Sequence, residues 1–188
     1  MKSIVLRTEE VRQLLDKGKV IIRRVIKPQP MFDKGLWWFG DAGWSDKLKK
    51  IYPVAGHSLY YACPYGQPGD SLYVKETWRI VGWDPENGEF IFEYKDGKQS
   101  DWLYMDSDID PDGEKCIKYH IQCSDDMDKA GVPIVDEYYQ LDDDQPIPTR
   151  WRPSIHMPRW ASRADVVVKD VRVEQETEWV WVIELERQ

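Results

Sequence analysis

Apolar and polar residues alternate along most of this chain, and the alternation predicts strands more often than helices. Ser3–Leu6 reads as a short first strand. Thr8 is placed to cap a helix, with Glu9 and Glu10 in the first turn, where the helix dipole favours acids. Val11, Leu14 and Leu15 then share one helical face, and Gly18 ends it. Residues 19–26, KVIIRRVI, are rich in β-branched side chains and predict a strand that KPQP breaks. Residues 31–58 read as irregular around the aromatic run LWWFGDAGW. CPYGQPGD is a turn-rich loop, and SLYVKETW (71–78) alternates as a strand. The middle of the chain predicts hairpins around GEFIFEY and KCIKYHIQC. The clearest strands are ADVVVKDVRVEQ (164–175) and EWVWVIELER (178–187). There is no repeat of fixed period. One helix among many strands predicts a mainly β fold with minor α, a small β-barrel with the helix plugging one end.

Length and composition narrow this picture. A chain of 188 residues, 41% hydrophobic, predicts a single domain with a real core. Its ten tryptophans predict dense aromatic packing or a surface that stacks on flat ligands. No apolar run approaches membrane-spanning length, and MKSIVLRTEE lacks the apolar centre of a signal peptide. With three cysteines and no secretion signal, the expectation is reduced thiols in a cytoplasmic protein with no membrane partner.

Charge is segregated. Residues 1–76 carry 13 Lys+Arg against 8 Asp+Glu, residues 77–148 carry 6 against 19, and residues 149–188 carry 7 of each. Such a pattern can hide a basic cleft in a chain of net charge −8. The acidic pieces, among them DSDIDPDGEK and LDDDQP, are turn-rich. Asp142, Asp143 and Asp144 repel one another and predict a solvated run that screens a cleft or mimics a polyanion.

WRPSIHMPRWASR (151–163) holds three arginines, two tryptophans and a histidine with no acid, and Arg150 precedes it. Arg152, Arg159 and Arg163 can fork onto phosphates or stack on bases. Trp151 and Trp160 offer stacking faces worth on the order of 1–3 kcal/mol per base in single-strand binders. His156 can hydrogen-bond a ligand or fix its loop. The competing structural interpretation has Trp160 closing a barrel end and the arginines paired with the acidic middle.

LLDKGKVIIRRVIKPQP, CPYGQPGDSLYVKETW, RWRPSIHMPRWASRADVVVKDVRVE and WVWVIELER, in this order, resemble the ASCH (activating signal cointegrator homology) domain, most closely in phage and prophage proteins. The resemblance implies a PUA-like barrel, here with an acidic, hairpin-rich insertion at residues 79–148, and ligands that are RNA or modified nucleotides. It implies a cleft in which Arg24 and Lys75 join the basic motif. The family's enzymatic branch, acetylcytidine amidohydrolases, implies a lysine, a threonine three residues on, an arginine two beyond that, and a glutamate on a later helix. Lys19 and Arg24 match, Ile22 replaces the threonine, and the last two strands leave no room for the helix. Isoleucine cannot donate or accept a proton, so amide hydrolysis by that route loses two positions. A lysine nucleophile needs a lowered pKa and a proton-handling partner, for which Glu76 is the candidate base. Three functions follow as alternatives. One is a module binding RNA or a modified nucleotide. Another is a hydrolase or ribonuclease using Lys19 and Glu76. The third is a protein-interaction module acting through the acidic insertion.

Metal and cofactor chemistry finds little support. Cys116, His120 and Cys123 are spaced C-x3-H-x2-C, with Cys63 or His57 as a possible fourth ligand. In an extended strand Cys123 would face away from the other two, which predicts no metal site. Walker A, GxGxxG and GxSxG motifs are absent, and no cofactor is expected.

Overall fold

The computed structural model describes residues 2–84, 86–135, 138–142 and 145–188. The chain is mainly β with minor α. It divides into two compact units, one formed by Met1–Val74 with Ala164–Gln188 and one by Lys75–Arg163. The second unit thus extends on both sides beyond the 79–148 insertion that the resemblance implies.

In the first unit, β1 (Lys2–Val5) leads to α1 (Thr8–Lys17). Arg7, not Thr8, is the N-cap, and its backbone N–H donates to Glu10 Oε2 at 2.8 Å. Val11 and Leu14 are the buried face, and Gly18 closes the helix in the left-handed region at φ 71°. β2 (Lys19–Val25) alternates strictly at its start, burying Val20 and Ile22 while Lys19 and Ile21 face outward. Residues read as irregular instead form strands β3 (Met31–Asp33), β4 (Leu36–Phe39) and β5 (Ala42–Ser45), followed by β6 (Lys50–Ile51). The β4–β5 hairpin turns on Gly40 and Asp41, since Phe39 pairs with Ala42. Gly40 is at φ 59°, and a Cβ there would meet Ser58 Oγ at 2.5 Å, so glycine is required twice over. A short helix α2 (Ser58–Tyr61) and β7 (Ser71–Lys75) follow.

The second unit holds β8 (Trp78–Asp84), β9 (Glu89–Tyr94) and β10 (Leu103–Tyr104) as an antiparallel sheet, then α3 (Glu114–Lys129) and the small pair β11 (Ile134–Val135) and β12 (Tyr138–Tyr139). The hairpin expected around GEFIFEY is β8–β9. The one expected around KCIKYHIQC is not a hairpin but α3, so the expectation of a single helix also fails. Cys116, Tyr119, Cys123 and Met127 recur at helical spacing; the first three pack on the sheet's aromatic face, with Phe90–Tyr119 centroids 6.0 Å apart, and Met127 is buried. Asp110 caps the helix start, accepting from Lys115 N at 3.0 Å and Cys116 N at 2.8 Å. The core comprises Trp78, Ile80, Phe90, Phe92, Tyr94 and Met157 among others.

The chain returns to the first unit through β13 (Asp165–Gln175) and β14 (Trp179–Arg187). Only residues 176–178 join them, so no helix stands between. The strand order is β1-β7-β13-β14-β2, with β6 paired to the far end of β13. β14 is central and buried from Trp179 through Ile183 without alternation, as a strand covered on both faces must be.

The expected barrel is not closed. β1 and β2 end the strand order, and among the described residues no ladder joins them. A side chain crosses the gap instead. Arg24 donates through Nη1 and Nη2 to Glu10 at 2.7 Å each, and through Nη2 to the Val5 carbonyl at 3.3 Å. The Glu10 hydrogen bonds raise the Arg24 pKa. Burial pushes Glu10 upward, but Arg24 and the Arg7 amide outweigh it and hold the carboxyl below its ordinary value. A folded-state pKa below the unfolded one gives stability that is present above the unfolded value and lost as pH falls through the folded value. Arg24→Met should therefore cost roughly 2–3 kcal/mol near neutrality. In urea melts the gap to the parent chain should narrow on acidification below pH ~4; a gap independent of pH would contradict this role.

Candidate functional site

The basic, aromatic stretch at 151–163 lies wholly in the second unit, and its residues part company there. Trp151, Arg152 and His156 line a cavity of about 410 Å³ together with Trp78 and the α3 residues Lys118, Tyr119 and Gln122. Arg152 is held by a two-way backbone bridge to β8. Its N–H donates to the Trp78 carbonyl at 2.7 Å, and the Trp78 N–H donates back at 3.3 Å. The guanidinium lies 5.3 Å from the ring centroids of both Trp78 and Tyr119. Nη1 donates to Gln122 Oε1. Nε and Nη2 are buried with no hydrogen-bond partner among the described residues. Burial lowers the Arg152 pKa, the mark of a cation taken out of water without a carboxylate in contact. Burial also pushes the nearby Cys123 thiol up to about 12, although the Arg152 charge acts the other way.

The wall beside Arg152 adds two cations. Lys118 is exposed on α3. Arg150 binds Asp126 Oδ2 through Nε at 3.0 Å and through its backbone N–H at 3.1 Å, while its side chain remains 49% exposed. The Trp151 ring already carries two cations, Lys95 at 4.2 Å and Arg79 at 4.8 Å, so its stacking surface is partly taken. His156 ends a 3-10 turn, Ser154–His156, and is exposed. Lys75 Nζ donates to the Ile155 carbonyl at 3.1 Å, which ties it to the same loop.

Trp160 and Arg163 belong to the interior instead. Trp160 packs edge-on against Phe92 at 5.0 Å and Tyr119 at 6.2 Å. Arg163 grips Glu76 with two parallel hydrogen bonds of 2.8 and 2.7 Å, and its Nη2 also donates to Asp96 at 2.7 Å. Its guanidinium covers the Tyr94 ring at 4.2 Å. Arg159 is exposed on the second 3-10 turn, Arg159–Ala161.

The proposed catalytic pair does not gain support from its surroundings. Both Glu76 oxygens are engaged by Arg163, and the residue is 2% exposed. Burial raises its pKa, with Arg163 opposing. A carboxylate so engaged is an ion-pair partner rather than a free base. Lys19 stands exposed at the start of β2 in the other unit. Along β2, Lys19 and Arg24 fall on opposite faces, and Arg24 is committed to Glu10. Ile22 is 1% exposed in the core, where the enzymatic pattern would need a hydroxyl facing ligand.

Comparison with known proteins yields no match. No family model, no curated protein and no solved structure matches this chain.

α3 brings Cys116, His120 and Cys123 onto one helical face, unlike the strand assumed from sequence. Even so, among the described residues no group of three His, Cys, Asp or Glu side chains could hold a metal ion. Asp143 and Asp144 of the acidic run lie outside the described residues, while Asp142 is exposed. No described helix is long and apolar enough to cross a membrane.

Lys118, Tyr119 and Gln122 escape a motif search, because they reach the cleft only through α3. The available signal was the recurrence of apolar residues from Cys116 to Met127.

Proposed function

We propose that this chain is a binding module for a nucleotide or a short stretch of single-stranded RNA, held in the Arg152 cleft of the second unit. The observation that carries the proposal is Arg152 itself, a desolvated guanidinium between aromatic rings whose Nε and Nη2 have no hydrogen-bond partner among the described residues. Such a cation is stabilised by an anion that replaces the lost water. Lys118 and the exposed part of Arg150 extend the positive wall along a phosphate backbone, and Tyr119 and Trp151 offer ring edges and faces to a base. A volume of about 410 Å³ suits one nucleotide. The resemblance to ASCH domains points to the same ligand class. The acidic character of the unit, 11 Lys+Arg against 20 Asp+Glu over residues 75–163, argues for weak binding confined to this cleft.

Fluorescence anisotropy with a labelled single-stranded RNA at two salt concentrations tests the proposal. Affinity should fall steeply with salt. Lys118→Ala, on an exposed position, should weaken binding about threefold to tenfold, and Arg152→Met more strongly. Arg187→Ala, near the C-terminus in the other unit, should leave it unchanged. Absence of binding at low salt, or binding indifferent to salt and to Lys118, would overturn the reading. In the same samples acetylcytidine should release no acetate, since Ile22 is buried and Glu76 is neutralised by Arg163.

A further inference from the structure

A second cavity of about 410 Å³ opens in the Lys75–Arg163 unit, and its chemistry is the reverse of the Arg152 cleft. Its walls include the rings of Trp83, Trp102, Tyr138 and Tyr139, and among the described residues no lysine or arginine lines it. Trp102 and Tyr138 make no ring-to-ring contact among the described residues, so their faces are not consumed by packing on one another, while Trp83 rests on the unit's core. His120, from α3, lines the same cavity, and its Nδ1 is buried without a hydrogen-bond partner among the described residues. Tyr139 donates its hydroxyl to Asp128 Oδ1 at 2.8 Å, which seats a carboxylate against the outer end of one wall.

Three properties select the ligand. Aromatic faces are electron-rich and attract cations placed over them. The absence of basic residues from the walls, with the net negative charge of the unit, disfavours any phosphate or carboxylate and draws cations in. The orphan Nδ1, in the tautomer with its proton on Nε2, is an acceptor in search of an N–H donor. We propose that this cavity is a binding site for an alkylammonium head group that carries at least one N–H, the rings enclosing its alkyl substituents and His120 accepting the proton-bearing bond. Trp102 is half-exposed and Tyr138 is 73% exposed, so the site is open at its rim. The head group can thus belong to a free amine or end the side chain of a modified lysine.

The proposal does not depend on nucleotide binding, because the two cavities share no lining residue. The test is titration of the full chain at neutral pH, followed by tryptophan fluorescence and ligand-observed NMR. Three probes of nearly equal shape are compared. N,N-dimethylethanolammonium has charge and N–H, choline has charge alone, and 3,3-dimethylbutan-1-ol has neither. Affinity should fall in that order, with about threefold to tenfold between choline and the neutral alcohol. Trp102→Ala, at a half-exposed position that leaves the core intact, should weaken the ammonium probes by a similar factor, and Trp102→Phe should retain part of it. His120→Phe should bring N,N-dimethylethanolammonium down to the choline level while leaving choline unchanged. N-acetyl-dimethyllysine methylamide distinguishes the sources: binding tighter than the free amine assigns the site to a chain-borne head group, and equal binding assigns it to a free amine. Equal binding of the neutral alcohol, or indifference of all three probes to Trp102→Ala, overturns the proposal.

Discussion

Replacing Arg163 with methionine should destabilise the inserted unit by about 3–5 kcal/mol, the cost of stranding buried charges rather than of losing a surface bridge. Glu76 and Asp96 expose only 3% and 1% of their side chains, and the same guanidinium bridges both. Glu76 is the second residue of the unit and Arg163 its last, so the pair fastens the two chain ends where the unit is inserted. Without it both carboxylates remain in a dry site against Tyr94, whose phenol burial already pushes up to about 12. Hydrogen exchange of β8 and β9 amides would read the loss directly, independent of whether the whole chain unfolds in one step. Glu76→Gln and Asp96→Asn introduced together with Arg163→Met should recover much of it, since they remove the uncompensated charges.

The pH dependence of that variant separates this account from a simple packing defect. In the parent chain, burial works to raise Asp96, but its bonds to Arg163 and to the Lys98 amide hold it below the ordinary value. Its contribution is therefore present above the unfolded pKa and lost as pH falls. Glu76 sits the other way, raised chiefly by burial, so its ionisation costs stability as pH rises through the folded value. Once Arg163 is gone both carboxyls are raised, and the variant should gain stability relative to the parent chain as pH falls from 7 toward 5. A deficit that stays constant over that range would show that lost contacts, not charge, explain the variant.

How much of this was legible in the chain differs from element to element. β2 and β13 announce themselves because one face is core and the other is not, which writes the burial into every second residue. β14 is legible for the opposite reason, an unbroken apolar run too short for a buried helix. β4 and β5 are not, because tryptophans occupy both faces: Trp37 turns toward the core while Trp38 lies out against Gly43. Aromatic bulk on both sides erases the alternation, and the two-residue Gly40–Asp41 turn passes for one more irregularity. α3 is hidden because CIKYHIQC alone favours a strand, and its helical period emerges only when Met127 is included. The cap, Asp110, also stands five residues ahead of the amide it holds. Among the site residues, composition marks 151–163 as unusual and finds Trp151, Arg152 and His156. It cannot tell that Arg163 meets two carboxylates while Arg152 meets none, because that depends on where β8, β9 and α3 place Glu76, Asp96 and Gln122.

Trp179→Ala should be the most damaging single change in the first unit, at about 3–5 kcal/mol. Trp179 opens β14, is 1% exposed, and receives Trp37 and Trp44 edge-on at 5.6 and 5.2 Å. These rings come from β4 and β5, so Trp179 is where the small three-stranded sheet joins the main one. Its backbone is held as firmly as its ring: the N–H donates to Gln29 Oε1 at 2.8 Å, and the carbonyl accepts from Ile26 N and Gln29 Nε2 at 3.0 Å each. Alanine keeps those backbone bonds, so the whole loss is read on the ring: a cavity plus two edge-to-face contacts of roughly 0.5–1.5 kcal/mol each. Phenylalanine should lose distinctly less, because it retains an aromatic face and removes an indole N–H that is buried without a partner among the described residues. The measurement is guanidinium unfolding of both variants by far-UV circular dichroism, with near-UV circular dichroism reporting the tryptophan cluster. A loss under about 1 kcal/mol for Trp179→Ala would place this position among ordinary surface changes. The β3–β5 sheet would then have to be held to the first unit by contacts other than the Trp37–Trp179–Trp44 cluster.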